Sequence, residues 1–253
     1  MALHHERLLP DPRLAEWVAH YWWVEWTLST PHLAETLPHP AVHLVFEWPA
    51  GTALIRGPSA ERFRRHLQGE GRVWGVKFRP ATFSALAQVS MVELCRQPHR
   101  PGRAWGRAAA RRPPHLEPSM GPEALAAACD RWLMAWLPPL PPPVQKVRDL
   151  VEQIALDPKM VRVEQAAQAS GLSVRALERR FRTQVGLSPK VVIQQYRLIE
   201  AVERLKAPEP PTLVDLAAEL GFFDQAHFTR AFKATIGRTP AQFLTEEGRG
   251  PAR

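Results

Sequence analysis

What this sequence has little of already excludes several classes of protein. Two of its 253 residues are cysteines, Cys95 and Cys129, which is too few for a disulfide framework or for a zinc site with four cysteine ligands. No uninterrupted apolar run approaches the roughly 18–20 residues that a membrane-spanning helix needs. The first residues, MALHHERLLPDPR, also lack the apolar core of a signal peptide. The sequence therefore predicts a cytoplasmic protein without a membrane segment.

The sequence also lacks the residue patterns of the familiar enzyme classes. We find no catalytic triad, no phosphate-binding loop and no cluster of metal ligands. His39 and His43 are four residues apart, which would suit a metal ion on a helix, but residues 42–48 have the pattern of a strand. Positions four apart on a strand are about 13 Å from each other, too far to share one ion. We therefore expect no enzyme activity, no metal and no cofactor.

Positive charge is in excess over the whole chain. There are 33 Lys and Arg against 25 Asp and Glu, a formal net charge of +8, which favours an anionic partner, nucleic acid before a membrane surface. Both halves contribute equally, because the counts are 16 basic and 12 acidic residues up to residue 143, and 17 and 13 beyond it. Only the placement of the charges can therefore indicate which half binds the anion.

The uneven distribution of aromatic residues marks a domain boundary. All nine tryptophans and nine of the ten histidines precede residue 140, where a proline-rich stretch, LPPLPPP, occupies residues 137–143. Proline fixes φ and has no N–H to donate, so we predict an extended linker at 138–143. It separates a first domain, 1–137, from a second domain, 144–245. We expect a disordered tail at 246–253.

The first domain has the pattern of an α+β fold with a small mixed sheet or a barrel-like arrangement. The strand-like runs are Tyr21–Leu28, Val42–Trp48, Ala53–Arg56 and Arg72–Arg79, and the helical stretches are Pro12–Val18, Pro80–Gln88 and Glu123–Leu137. In the last of these, an apolar stripe with Trp132 and Trp136 either packs on its own domain or pairs two copies of the chain. The stretch from Cys95 to His115 is rich in Arg, Pro and Ala, which predicts a poorly ordered loop or a second basic patch.

The second domain contains an internal repeat. The first copy is AAQASGLSVRALERRFRTQVGLSP (166–189) and the second is LAAELGFFDQAHFTRAFKATIGRTP (216–240). Each copy predicts a short helix with small residues, a glycine turn, and a second helix opened by an N-cap residue, Ser173 or Asp224. This is the pattern of a helix-turn-helix. The sequence therefore predicts an all-α domain of two such units.

The second helix of each copy has a buried face and a basic face. Leu177 and Phe181, and their counterparts Phe228 and Phe232, are four apart and must be buried together. The opposite faces carry Arg175, Arg179 and Arg182 in the first copy, and Ala226, Arg230 and Lys233 in the second, flanked by Glu178, Gln225 and His227. Arginine can donate two hydrogen bonds to a guanine edge, and the flanking side chains can also bond base edges. A matched pair of such faces indicates DNA binding rather than a merely solvated surface.

One continuous helix connects the two copies. Ser188 and Pro189 are an N-cap and a first-turn proline, and an apolar stripe runs on to Lys206. About 18 residues at 1.5 Å each make a strut of roughly 27 Å. Such a strut could hold two recognition helices near the roughly 34 Å spacing of successive major grooves.

These motifs resemble the DNA-binding domain of AraC/XylS-type transcription regulators. The resemblance rests on SGLSVRALERRF, GLSP, LGFFDQAHFTRAFK and GRTPAQF, in that order, and covers about residues 144–245. It implies that the outward residues of the two second helices enter adjacent major grooves. The residues implied to face bases are Arg175, Glu178, Arg179, Gln225, Ala226, His227 and Arg230, and those implied to contact phosphates are Ser173, Arg182, Lys190, Lys233 and the backbone near Thr239. Ala226 departs from the polar residue often found there, so Gln225, His227 and Arg230 would carry more of the second readout.

The first domain resembles a domain found in a subset of the same regulators. The segments that carry this resemblance are LPHPAVHLVFEW (37–48) and GRVWGVKFRPATF (71–83), and it implies a sensing role without naming a ligand. The tryptophans are either plain core or the walls of an effector pocket for an apolar or cationic molecule, formed by Trp22, Trp26, Trp48 and Trp74.

We therefore predict a sequence-specific transcription regulator that binds double-stranded DNA. RNA polymerase, a small-molecule effector and a second copy of the chain are further predicted partners. Two alternatives stay open: a DNA-linked repair or modifying protein whose chemistry lies in the first domain, and a nonspecific architectural DNA binder. Some relatives of this kind are coupled to alkylation repair, but Cys95 stands without the cysteine cluster that holds their metal. The operator sequence, and whether the output is activation or repression, do not follow from the sequence.

Overall fold

The computed structural model describes residues 2–105, 114 and 116–246. The predicted tail, from residue 247 on, and most of the last part of the Arg-rich stretch lie outside these residues. Within the described residues, no helix is long and apolar enough to cross a bilayer. The architecture is a sheet domain followed by a helical domain, which confirms the predicted order of α+β and all-α parts.

The first domain is built on one five-stranded antiparallel sheet with the order β1-β2-β5-β3-β4. Its strands are β1 (Ala2–Leu8), β2 (Val18–Thr36), β3 (His43–Trp48), β4 (Thr52–Arg56) and β5 (Phe63–Phe78). Every pairing is antiparallel, so this sheet is not mixed. The four predicted strands are present, but β2 and β5 are far longer than expected because they pair with each other along most of their length.

The two faces of the sheet have different roles. Side chains alternate between faces along a strand, so Tyr21 and Trp23 point one way and Trp22 points the other. On the first face, Tyr21 and Trp74 stack with ring centroids 5.4 Å apart, and the Tyr21 hydroxyl donates to Asp130 of the helix above at 2.7 Å. This face forms the main apolar core. The second face lines a cavity.

Short helices cover the first face. They are α1 (Met91–Arg96), α2 (Pro101–Ala104) and α3 (Pro122–Met134), so part of the Arg-rich stretch is helical rather than a loop. The predicted helices at Pro12–Val18 and Pro80–Gln88 are only 3-10 turns, at 12–14 and 82–85. The second cannot extend toward its N-terminus because Ala81 has a left-handed φ of 67°.

The tryptophan stripe of α3 packs within its own domain. The rings of Trp132 and Trp136 have centroids 5.2 and 5.5 Å from the centroid of Trp105, whose side chain is fully buried. The two rings also contact each other at 5.4 Å. Of the two alternatives for this stripe, the structure therefore favours packing on its own domain over pairing of two copies.

The second domain consists of seven helices within the described residues. They are α4 (Pro142–Leu156), α5 (Val163–Ser170), α6 (Val174–Gln184), α7 (Pro189–Leu205), α8 (Leu213–Glu219), α9 (Gln225–Ile236) and α10 (Pro240–Glu246). The predicted connecting helix is α7, and Ser188 caps it by accepting the Val191 N–H at 3.3 Å.

The proline-rich segment differs from a free linker. Pro141 is extended, as predicted, but Pro142 already belongs to α4 and Leu140 is buried in the main core. That core is continuous from the sheet through α4, α5 and α6 into α7, whereas α8, α9 and α10 form a second cluster with the end of α7. The reason is that the apolar face of α4, with Val147 and Val151, needs cover that the first helix-turn-helix alone does not provide.

Candidate nucleic-acid interface

The two repeat copies fold as two helix-turn-helix units. The turns contain Gly171 and Gly221 with left-handed φ values of 65° and 76°, a conformation that side chains with a Cβ adopt at a cost. In the second helices α6 and α9, Leu177, Phe181, Phe228 and Phe232 are all fully buried. Burial of these pairs fixes the rotation of each helix, so the opposite face must point to solvent.

The outward face of α6 presents the predicted side chains of the first copy. Arg175, Glu178, Arg179 and Arg182 are all exposed. Ser173 is the N-cap, and its Oγ accepts the Ala176 N–H at 3.3 Å. Its hydroxyl hydrogen stays available to a phosphate oxygen, so the cap and the predicted phosphate contact are compatible.

The outward face of α9 is equally open. Gln225, Ala226, His227, Arg230 and Lys233 are exposed. The carboxylate of Asp224 caps the helix by accepting the His227 N–H at 2.6 Å, while the His227 ring lies edge-on to Phe222 with centroids 5.4 Å apart. This contact restricts the imidazole on the solvent side of the helix, where it can meet a base edge.

The cations of these faces have no partners inside the protein. Within residues 2–105, 114 and 116–246, no ion pair or side-chain hydrogen bond engages Arg175, Arg179, Arg182, Arg230 or Lys233. The arginines of the sheet region behave differently, since each of the following pairs with a carboxylate: Arg56, Arg62, Arg64, Arg65, Arg72 and Arg79. The two outward faces therefore carry uncompensated positive charge, which suits phosphates and guanine edges.

Two further predicted phosphate contacts lie at helix starts. Lys190 is exposed in the first turn of α7. Thr239 precedes α10, where its N–H donates to Gln242 Oε1 at 2.9 Å and its Oγ1 accepts the Gln242 N–H at 3.2 Å. The backbone donor that we assigned to a phosphate is thus already used in this structure. A phosphate could take it only after Gln242 turns away.

The sequence interpretation missed Phe223. This side chain is 91% exposed in the turn before α9, the largest exposed fraction among the large apolar residues described. Its neighbour Phe222 is buried against Phe228, with ring centroids 5.2 Å apart. Two consecutive phenylalanines in a turn could have signalled this, because only one of them can enter the core.

The structure brings together two of the four tryptophans that were predicted to line an effector pocket. A cavity of about 640 Å³ lies on the second face of the sheet, and Trp22 and Trp26 line it. Trp74 is fully buried on the opposite face, and Trp48 packs there against Trp23 with centroids 6.5 Å apart. Strand alternation explains the separation, since the parity of positions 48 and 74 in β3 and β5 directs them to the main core.

The other chemical candidates in the first domain are His39, His43 and Cys95. His43 Nδ1 accepts the Trp22 Nε1–H at 3.1 Å, and the described residues contain no group of three metal-ligating side chains. Burial raises the pKa of the Cys95 thiol to about 11, which keeps it protonated and weakly nucleophilic.

The first domain touches both second helices at their C-terminal ends. Gly186, which follows α6, is so close to α1 that a Cβ there would lie 2.6 Å from Met91 O and from Cys95 Sγ. Gly237, which follows α9, is covered by the guanidinium of Arg62, whose Nη1 donates to the Ile236 carbonyl at 2.6 Å and to Glu35 at 2.9 Å. Leu94 to Pro98 and Gly57 to Arg65, the segments that make these contacts, also border the cavity.

Comparison with known proteins assigns both domains. Residues 6–99 match the family described as Domain of unknown function (DUF6597), and residues 166–246 match the family described as Helix-turn-helix domain. The HTH-type transcriptional regulator MtrA of Neisseria gonorrhoeae is 35% identical over 105 residues, which are 42% of this chain and 33% of MtrA. Regulatory protein SoxS of Salmonella typhimurium is 35% identical over 81 residues, which are 32% of this chain and 75% of SoxS.

Among solved structures, a probable AraC family transcriptional regulator from Rhodopseudomonas palustris is 26% identical. The match covers 40% of this chain and 96% of that one, with a TM-score of 0.37. The chain thus spans a third of the length of MtrA and three quarters of the length of SoxS.

Proposed function

The chain belongs to the AraC/XylS family of transcription regulators, and from this premise we propose that it binds operator DNA with α6 and α9 in two successive major grooves. The observation that carries the proposal is the matched pair of exposed faces whose cations have no partner among the described residues. The 17 residues of α7 separate the two helices by a strut of about 26 Å, compatible with grooves roughly 34 Å apart when the helices extend outward from it.

The two kinds of contact have different consequences. Arg175, Glu178 and Arg179 would face bases in one groove, and Gln225, His227 and Arg230 in the other, with Ala226 offering only its methyl group. Ser173, Arg182, Lys190, Lys233 and Thr239 would contact phosphates, which set the register of the protein without reading sequence. We propose residues 144–245 as the unit that carries these contacts and 1–137 as the regulatory domain.

The first domain would control this binding. Its contacts with Gly186 and Ile236 lie at the ends of the two recognition helices, and the segments that make them border the cavity. A molecule in the cavity that binds better to one placement of these segments would shift the position of α6 and α9. We propose that this activity takes place in the cytoplasm, and we keep RNA polymerase and a second copy of the chain as predicted partners.

The test is selection of bound sequences from a random duplex library by the full chain, followed by footprinting on the selected DNA. We expect enrichment of one motif with two protected segments about 10–10.5 base pairs apart, one turn of the duplex. Uniform binding without an enriched motif would contradict sequence-specific recognition and favour an architectural DNA binder. Cleavage or modification of the selected DNA would favour a repair protein.

A further inference from the structure

The cavity on the second face of the sheet has a basic end that follows from strand register. His20 of β2 and His43 of β3 are the direct neighbours of Lys77 in β5, and His43 pairs with Arg56 in β4. Four basic residues therefore form one row across four adjacent strands, and all of them line the cavity. His39 and Arg7 border the same end.

Lys77 is the member of this row that lacks a counter-charge. Its side chain is partly buried, and within the described residues it forms neither an ion pair nor a hydrogen bond. Glu47, a carboxylate that lines the cavity, is engaged by Arg65 at 2.7 Å and by Arg56 at 3.5 Å. Burial, with a smaller contribution from Arg7, lowers the pKa of Lys77 to about 8, so a partly desolvated ammonium is present at neutral pH.

The histidines around Lys77 add donors rather than charge. Burial is the main cause that lowers the pKa of His20 and His39 to about 4 and that of His43 to about 3. Because His43 Nδ1 accepts the Trp22 indole N–H, the hydrogen of its neutral ring must be on Nε2. Near neutral pH the row therefore offers the Lys77 ammonium as its positive charge without a carboxylate partner among the described residues, beside the neutral imidazoles and with the Arg7 guanidinium nearby.

Next to the basic row, the cavity is lined by two tryptophans of β2 that lie against β5. Trp22 lies across Gly75 and Trp26 lies across Gly71, and a Cβ on either glycine would collide with the indole. Trp26 is almost fully buried against Val45, Leu67 and Val73, whereas Trp22 stays half-buried at the cavity. Since the N–H of Trp22 is used by His43, the ring presents an apolar face to the cavity.

The two features are adjacent on one face. Trp22 and Gly75 are two residues along their strands from His20 and Lys77, which places the aromatic and basic rows about 6.6 Å apart. A flat ring over Trp22 would thus bring an attached anionic group to Lys77. The register of the sheet therefore favours an anion over the cationic ligand that the tryptophans alone suggested.

We propose that this cavity binds a small planar aromatic carboxylate, with its ring on Trp22 and its carboxylate on Lys77. The proposal deepens the effector control described above and rests on it only for its regulatory consequence, because binding can be measured without DNA. The ligand would neutralise the ammonium that the fold leaves without a partner and would cover the apolar face of Trp22.

Calorimetric titration of the full chain with 2-naphthoate tests the proposal, with the neutral isostere 2-naphthamide as the matched ligand. We expect saturable binding of naphthoate and at least tenfold weaker binding of the amide, since only the carboxylate can pair with the ammonium. Lys77→Met should weaken naphthoate about tenfold or more. Lys146→Met, a lysine exposed on α4 away from the cavity, should not change it.

Two further variants test the ring site. Trp22→Leu should weaken naphthoate several-fold, and Trp22→Phe, which keeps an aromatic face, should retain most of the affinity. Equal binding of acid and amide, no saturable heat with naphthoate, tighter binding of decanoate than of naphthoate, or an unchanged affinity in Lys77→Met would each overturn the proposal. Thermal unfolding and DNA binding of Lys77→Met are measured separately from ligand binding. A variant that is folded and still binds operator DNA, but no longer binds naphthoate, would show that the ligand site and the proposed DNA-binding function can be tested independently.

Discussion

Arg179 and Arg230 offer the sharpest test of how the two recognition helices read DNA. They occupy equivalent positions, 51 residues apart, in α6 and α9, and both are exposed. Neither pairs with a carboxylate in the part of the chain that the structure describes. Replacing either by alanine therefore leaves no orphaned partner, and the change in DNA affinity reports the contact with DNA alone.

The magnitude follows from this exposure. A bidentate arginine–guanine contact contributes about 1–3 kcal/mol of discrimination, which corresponds to roughly 5- to 150-fold in Kd. The substitution of an exposed, unpaired side chain should change the free energy of unfolding by less than about 0.5 kcal/mol. We therefore expect Arg179→Ala and Arg230→Ala to lose specific affinity, to relax base preference within one half-site each, and to keep their thermal stability.

The assay is a fluorescence-anisotropy titration of operator and of scrambled DNA at several salt concentrations. Arg131→Ala is the matched control, because Arg131 is exposed on α3, far from the recognition helices in the sequence, and is likewise unpaired among the described residues. If both variants lost affinity for operator and scrambled DNA by the same factor, and with a smaller salt dependence, these arginines would be phosphate contacts. The assignment of base-reading roles would then be wrong.

Three other predictions concern phosphate contacts, docking and the cavity. Lys190→Ala should weaken all DNA sequences alike and reduce the slope of log K against log salt by about 1, since one phosphate contact is lost; an unchanged slope in the same titrations would contradict this. Gly186→Ala should lower the melting temperature more than Gly171→Ala. Both positions have a left-handed φ, but a Cβ at Gly186 would collide with α1, whereas nothing lies within 4 Å of a Cβ at Gly171. Equal shifts in melting temperature, measured by circular dichroism, would refute the contact between α1 and Gly186. The affinity for 2-naphthoate, measured by calorimetry, should fall between about pH 7 and pH 9. The reason is that Lys77, whose pKa is about 8, loses its proton in this range while the neighbouring histidines stay neutral. An affinity that does not change with pH would show that Lys77 does not bind the carboxylate.

The helical domain could be predicted from sequence because its signals are local. N-cap residues such as Ser173 and Asp224, glycine turns, and apolar residues four apart act within one or two turns of helix. Because the domain contains an internal repeat, each of these signals occurs twice, and each copy supports the helix assignment of the other. The predicted connecting helix accordingly begins and ends within one residue of α7.

The sheet domain could be predicted only in part because its determinants are distant in sequence. β1 pairs with the centre of β2, for example His5 with Val24, and its own residues lack the alternation that marks a strand. The length of β2 and β5 depends on their mutual pairing, which no local window contains. The separation of Trp22 from Trp74 likewise requires the register, since composition alone groups all tryptophans together.

The glycines that follow the two recognition helices have both a local role in the helix and a long-range role in the contact between the domains. Gly186 and Gly237 follow α6 and α9 with left-handed φ values of 85° and 88°, the conformation in which glycine commonly ends a helix. In the folded protein the missing side chain also lets the first domain approach, through α1 at Gly186 and through Arg62 at Gly237. Arg62 donates to the carbonyl of Ile236, the last residue of α9, where the helix dipole is negative, so a single contact both caps the helix and fixes its position against the sheet domain. The segments that make both contacts also border the cavity. A ligand that moved these segments would therefore act on both recognition helices, at Gly186 after α6 and at Gly237 after α9.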